Sequence, residues 1–229
     1  VLVAVLMASI AYGVPGDSWS LQGDFAKHAS GNPATINRPT GGSASWGYYH
    51  ERTILMGPVT DNFQSELPTN TGWTTTGGWA HTSMNKMSQS SADAGKNTNW
   101  LAGEVGGHSS TSYGVGTKWT TNTGGTFRVD VTGFHARKVN PNFDQELRLT
   151  SPSGLETWAI SRLDNNGSAN AVAATREFTL NSGDALWLEM KGPTWFGMTM
   201  DVTEIPEPSS LLLLGFAALG MCGRGLRRG

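Results

Sequence analysis

At 229 residues the chain is long enough for one well-cored domain with targeting segments at both ends. Its 30 glycines and 15% charged residues point to short strands joined by turns, and nine tryptophans can fill a sandwich core or line a surface that holds flat ligands. A net charge of −2 argues against the basic face that nucleic acid needs, and the lone cysteine, Cys222, excludes disulfides, thiolate metal sites and a cysteine nucleophile from the chain before it.

Residues 1–11 are almost wholly apolar, and Ala11-Tyr12-Gly13 places small residues at the −3 and −1 positions of a cleavage site. This reads as a signal peptide over residues 1–13, its start truncated because no Met or basic leader precedes it. Residues 14–205 read as one domain. A first strand is predicted over residues 19–25, and residues 31–42, with Pro33, Pro39 and Gly41-Gly42, read as a loop. The run Ser45-Trp46-Gly47-Tyr48-Tyr49 has strand character, and residues 53–56 are expected to pair with it. Residues 58–96 show no clean period. Between Trp100 and Trp119 the glycines, Gly114 and Gly116 among them, suggest short segments with tight bends.

From Gly124 the pattern sharpens. Phe127, Val129 and Val131 alternate with Arg128, Asp130 and Thr132, as in a strand with one buried face. Leu147 and Leu149 repeat this, and Ser151-Pro152-Ser153-Gly154 turns the chain into a partner strand with Trp158 and Ile160. Asp164-Asn165-Asn166-Gly167 marks another turn. Residues 177–180, the turn Asn181-Ser182-Gly183-Asp184 and residues 186–190 read as a second hairpin. Met198, Met200 and Val202 alternate in a last strand. The expectation is an all-β antiparallel sandwich of jelly-roll type, followed by a hydrophobic helix at the C-terminus.

That last segment, residues 206–229, opens Pro206-Glu207-Pro208, continues apolar to Cys222, and ends with Arg224, Arg227 and Arg228. Residues 209–223 would span about 22 Å as a helix at ~1.5 Å per residue, less than the ~30 Å of a bilayer core, a mismatch that thinning or snorkelling arginines can absorb. Trailing arginines favour a cytoplasmic C-terminus with the domain outside. Taking Glu207 and these three arginines from the totals of 18 acidic and 16 basic residues leaves 17 against 13, so the part before Pro206 carries −4.

The tail resembles the PEP-CTERM sorting signal of bacterial exported proteins, in its Pro-Glu-Pro triplet, its apolar run with Gly215 and Gly220, and its arginine cluster. The resemblance implies export, transient membrane anchoring, processing by an exosortase-type enzyme, and a link to exopolysaccharide and the extracellular matrix. The domain resembles, more loosely, the jelly-roll domains that precede such tails and that are similar in architecture to carbohydrate-binding modules. The points of likeness are Gly125-Thr126-Phe127-Arg128-Val129, Ser182-Gly183-Asp184 with Leu186 and Leu188, and Trp46-Gly47-Tyr48.

Five histidines, His28, His50, His81, His108 and His135, stand singly, with no i+2 or i+4 metal spacing. Glu104 and His108 form one small polar cluster in a Gly-rich stretch. No Gly-x-Ser-x-Gly elbow is present. Glu51, Glu66, Glu104 and Asp184 supply carboxylates for a glycosidase, which needs two at a fixed separation; Asp184, after Gly183, equally suits a turn that bonds nearby amides. Asp17, Asp24, Asp184 and Asp201 are hard-oxygen candidates for a structural calcium ion, without an acidic loop to define a site. The aromatics carry the leading expectation. Trp46, Tyr48, Tyr49, Trp73, Trp79 and Trp195 are the candidate ligand-binding residues, because flat rings stack on the apolar C–H faces of sugars; core packing is the competing use. The sequence therefore favours a non-enzymatic surface or matrix protein with weak carbohydrate binding. The alternatives are a polysaccharide hydrolase or lyase and a structural protein that self-associates through sheet edges.

Overall fold

The computed structural model describes residues 16–25, 33–38, 41–52, 54–55, 57–58, 72–74, 83–86, 105–109, 114–135, 145–160, 172–192 and 195–206. The expected signal peptide, Trp79, and the tail from Glu207, where a helix is expected, lie outside these residues.

Strand β1 (Ser18–Ser20) leads into a single helical turn, α1 (Leu21–Asp24), followed by β2 (Ala34–Asn37), β3 (Ser43–His50) and β4 (Ile54–Leu55). Four short strands come next: β5 (Gly57–Pro58), β6 (Gly72–Thr74), β7 (Ser83–Lys86) and β8 (Val105–His108). The long strands close the chain: β9 (Val115–Thr121), β10 (Gly125–His135), β11 (Gln145–Ser151), β12 (Gly154–Ile160), β13 (Val172–Leu180), β14 (Ala185–Lys191) and β15 (Trp195–Ile205).

They form two antiparallel sheets. Sheet A runs β13-β10-β15-β8-β7-β6-β5, with β1 alongside β15; sheet B runs β12-β11-β14-β9-β3-β2, with β4 alongside β3. From β8 onward successive strands alternate between sheets, apart from the β11–β12 hairpin. That alternation is the jelly-roll pattern, and the two sheets cover one another because each strand carries one apolar face. The covered faces carry Phe127, Val129, Val131, Met198, Met200 and Val202 from sheet A, and Trp46, Tyr48, Trp119, Leu147, Leu149, Leu186, Leu188 and Met190 from sheet B.

Four local expectations change. Residues 19–25 form a strand only as far as Ser20. There the Ser20 hydroxyl accepts from the Gly23 amide (3.3 Å) and the Asp24 carboxylate from the Ser20 amide (3.1 Å), a reciprocal cap that bends the chain into a helical turn. The expected loop at 31–42 contains β2, which pairs with β3 through a turn where Gly41 takes φ 102°. Gly106, Gly107 and Gly116 lie inside strands, not at bends. Most consequentially, β13 and β14 are not a hairpin: β13 pairs with β10 in sheet A and β14 with β11 and β9 in sheet B. The Asn181–Asp184 turn crosses between sheets, with Asp184 accepting from the Asn181 amide (2.8 Å) as its place after glycine suggested.

The hairpin β11–β12 and the pairing of β4 with the end of β3 agree with expectation. Chain entry and exit meet at one pole: the Glu204 amide donates to the Asp17 carbonyl (2.8 Å), and β1 lies against the last residues of β15. Among the described residues no helix is long and apolar enough to cross a membrane.

Candidate functional site

Period 2 puts Trp46 and Tyr48 on one face of β3 and Tyr49 on the other. The face shared by Trp46 and Tyr48 is the core, and both are 0% exposed. Trp46 stands opposite Trp119 and directs its indole N–H toward Asp24 (3.4 Å), while the Tyr48 ring lies 4.7 Å from that of Phe25. Neither belongs to a surface platform, because the interior of a sandwich takes the larger apolar face of each strand. Trp73 lies on β6 and Trp195 at the start of β15, opposite His108.

Tyr49 remains, and it has neighbours. The outer face of sheet B is built from rows of residues in register across the strands. One row is Gly47, Lys118, Trp187, Thr150 and Leu155; the next is Tyr49, Gly116, Glu189, Arg148 and Thr157. The Tyr49 ring leans over Gly47, where an added Cβ would stand 2.5 Å from Tyr49 Cε2. It thereby meets Trp187 edge to face, with ring centroids 5.0 Å apart at 60°. The Lys118 ammonium lies 5.0 Å from the Trp187 ring centre. All three side chains are half-buried. At the far end of the row Leu155, on edge strand β12, is 54% exposed. Burial raises the Tyr49 phenol above its ordinary pKa, so it stays a neutral hydrogen-bond donor at physiological pH.

The second row supports the first electrostatically. Glu189, on β14, reaches across β9 to Arg52, whose Nε and Nη2 donate to its two oxygens at 3.0 and 2.7 Å. Gly114 and Gly116 clear that path: a Cβ at 114 would sit 3.0 Å from Glu189 Oε2, and one at 116 only 2.6 Å from Glu189 Cα. Arg148 stands 3.7 Å from Glu189 and pairs with Glu146 as well. The hydrogen bond to Glu189 is the main reason the Arg52 guanidinium is held above its ordinary pKa. It also secures the turn after β3, where Glu51 and Arg52 adopt the left-handed φ values 54° and 63° that non-glycine residues rarely take.

His50 ends β3 on the inner side. Burial lowers its pKa, with Glu51 opposing the shift in part. A histidine whose folded pKa lies below its unfolded value binds fewer protons when folded, so its contribution is complete above the unfolded pKa of 6.5 and declines as pH falls below it. The melting temperature is therefore expected to drop on acidification from pH 7 toward pH 5 more steeply in the wild type than in His50→Gln; equal slopes in thermal melts across that range would contradict this.

The carboxylates proposed for calcium are dispersed. Asp17 accepts from the Gly42 amide (2.7 Å), Asp24 pairs with Arg38 (2.5 Å), Asp184 holds its turn, and Asp201 faces Asp130 on the outer side of sheet A. Among the described residues no group of three or more His, Cys, Asp or Glu side chains could hold a metal ion. His108 lies on β8, and Glu104 is outside the described residues.

Trp187 was not singled out from the sequence, although the signal was there: Leu186, Leu188 and Met190 fix the core phase of β14, leaving a tryptophan in the solvent phase.

Residues 204–228 match the PEP-CTERM protein-sorting motif. The match begins two residues before the Pro-Glu-Pro triplet, within the last two residues of β15. No curated protein matches the chain by sequence. Among solved structures, TmCBM61 in complex with beta-1,4-galactotriose is similar at 8% identity and a TM-score of 0.32, over 53% of this chain and 81% of that one. The carbohydrate binding module CBM6cm-2 from Cellvibrio mixtus lichenase 5A, in complex with cellotriose, is similar at 12% identity and a TM-score of 0.26, over 45% and 78%. Eiger TNF from S. frugiperda is similar at 14% identity and a TM-score of 0.29, over 39% of this chain and 65% of that one. Similarity at these levels carries no ligand across to this chain.

Proposed function

We propose that this chain, marked for export and sorting by a PEP-CTERM motif at residues 204–228, is a non-enzymatic surface or matrix protein that binds polysaccharide through the outer face of sheet B. The observation that carries the reading is the Tyr49–Trp187 pair, two half-buried aromatics packed edge to face on a surface turned away from the core. Edge-to-face packing fixes both rings in place, so little side-chain entropy is lost when a sugar covers them. From Tyr49, which covers Gly47 on β3, the row continues over β9, β14 and β11 to Leu155 on β12. Four strand spacings of ~4.8 Å make this track about 19 Å long, enough for several sugars of an extended chain. Glu189 and Glu146, the carboxylates that the described strands of sheet B carry on this face, are both engaged by arginines, which leaves neither poised as a general acid or base and favours binding over hydrolysis or elimination.

Trp187→Ala is expected to reduce polysaccharide retention in affinity electrophoresis by about tenfold or more, the usual penalty for truncating an aromatic anchor, with little change in melting temperature. Wild-type retention in the variant would overturn the reading.

The domain takes residues 14–205, preceded by a signal peptide at residues 1–13, and the tail anchors it in the inner membrane until an exosortase-type enzyme processes it. Support comes from the pairing of β1 with β15, which closes the sandwich where the motif begins. Deleting residues 206–229 should release the domain to the medium or leave it in the periplasm on cell fractionation; unchanged envelope attachment would refute the sorting role.

A further inference from the structure

We propose that the ligand is an anionic polysaccharide, and that Lys118 is the group that selects it. This rests on the saccharide-binding reading above and names the chemistry of the same site. Each arginine whose side chain is described, Arg38, Arg52, Arg128, Arg148 and Arg176, is paired with a carboxylate. Lys118 has no carboxylate partner among the described residues; its ammonium rests over the Trp187 ring at 5.0 Å. The lysine therefore occupies the aromatic surface that a sugar would use.

A cation held over a ring at a half-exposed site is weakly bound, so a ligand can displace it. A neutral sugar takes the ring and leaves the ammonium with water alone. A sugar bearing a carboxylate takes the ring and gives the displaced ammonium a charge-assisted hydrogen bond. The exchange thus favours a uronic-acid-type polymer. The rest of the face agrees in sign. Lys118, Lys191, Arg52 and Arg148 share it with Glu189 and Glu146, and Glu51 beside Arg52 in the turn still leaves an excess of one positive charge on a domain that is −4 before the tail. Such an inversion of local charge concentrates a polyanion against one face of an otherwise acidic protein.

The test is affinity electrophoresis of the sandwich within the full chain through gels containing polygalacturonate or, separately, neutral hydroxyethylcellulose. Lys118→Met keeps the unbranched stem and removes the charge; Lys118→Arg keeps the charge. Lys118→Met is expected to lose about fivefold in affinity for polygalacturonate, equivalent to about 1 kcal/mol, while retention by hydroxyethylcellulose does not fall, because a neutral sugar makes no use of the ammonium. Lys118→Arg should retain the acidic preference, and added salt should weaken wild-type binding to polygalacturonate more than that of Lys118→Met. Undiminished polygalacturonate binding by Lys118→Met, or a parallel loss of both polymers, overturns the selection by Lys118. The saccharide reading itself falls if the wild type is retained by neither polymer or if Trp187→Ala is retained by both; loss of both in Trp187→Ala beside an intact acidic preference in Lys118→Met sinks only the charge selection.

Discussion

Trp119→Ala lowers the unfolding free energy by about 3–5 kcal/mol, the range for emptying a tryptophan site in a close-packed core. Trp119 is fully buried and joins the two sheets. On its own sheet it stands beside Trp46 and Leu186; across the interface it meets Trp19 of β1 at 5.5 Å and Phe127 of β10 at 5.2 Å, both edge to face at 61° and 70°. A small side chain there leaves three large rings facing a void that the β-sheet backbones cannot close. Trp119→Phe is expected to cost much less, about 1–2 kcal/mol. It conserves ring contacts, and the indole N–H of Trp119, like that of Trp19, has no hydrogen-bond acceptor among the described residues, so no hydrogen bond is lost with it. Urea unfolding followed by circular dichroism checks both values. A loss under 1 kcal/mol for the alanine variant would mean that the sheets are held together elsewhere.

The contrast between these strands and their sheet assignment shows what the sequence reveals. Alternation identified β10, β11, β12, β14 and β15 because each buries one face, and period 2 reports that directly. It does not report which sheet a strand joins. Asn181-Ser182-Gly183-Asp184 satisfies a turn equally well whether the next strand pairs with the last or crosses the sandwich, and here it crosses. The same limit governs the site. Alternation separated Tyr49 from Trp46 and Tyr48 correctly, yet it does not report which of the two faces is covered, and Trp46 and Tyr48 lie in the core. Gly47 leaves room for the ring of Tyr49, two residues on along the same face, but the partner that the leaning ring meets, Trp187, comes from a distant strand. Trp187, Lys118 and Tyr49 lie far apart in sequence and meet only through the β3–β9–β14 register. The tail was legible because its order of proline, apolar run and arginines does not depend on folding.

The meeting of chain entry and exit bears on how the site is presented. Pro206 follows directly on β15 at the pole where Asp17 and Glu204 are hydrogen-bonded. On the reading proposed above, attachment through the tail would hold the domain by this pole, where the Gly42 amide just before β3 donates to Asp17, while Tyr49 lies near the other end of β3.

Two glycines on that face should respond to the same substitution in opposite ways. Gly116→Ala introduces a methyl 2.6 Å from Glu189 Cα, with the Leu188 carbonyl closer still. These are backbone atoms of the adjacent strand, and they can yield only by parting β9 from β14 in the middle of sheet B. The expected cost is about 3 kcal/mol, the upper end for overpacking a well-packed site, because the shift also closes the path by which Glu189 reaches Arg52. Gly47→Ala meets instead the Tyr49 ring at 2.5 Å, a half-exposed side chain that can swing into solvent. Its stability should change by no more than about 1 kcal/mol, while the Tyr49–Trp187 contact and polysaccharide retention are lost as in Trp187→Ala. Urea unfolding and affinity electrophoresis on the two variants separate the framework from the binding surface. A Gly47→Ala protein that binds like the wild type would show that Tyr49 needs no fixed position, and a Gly116→Ala protein of unchanged stability would show that β9 and β14 approach less closely than the Glu189–Arg52 pair requires.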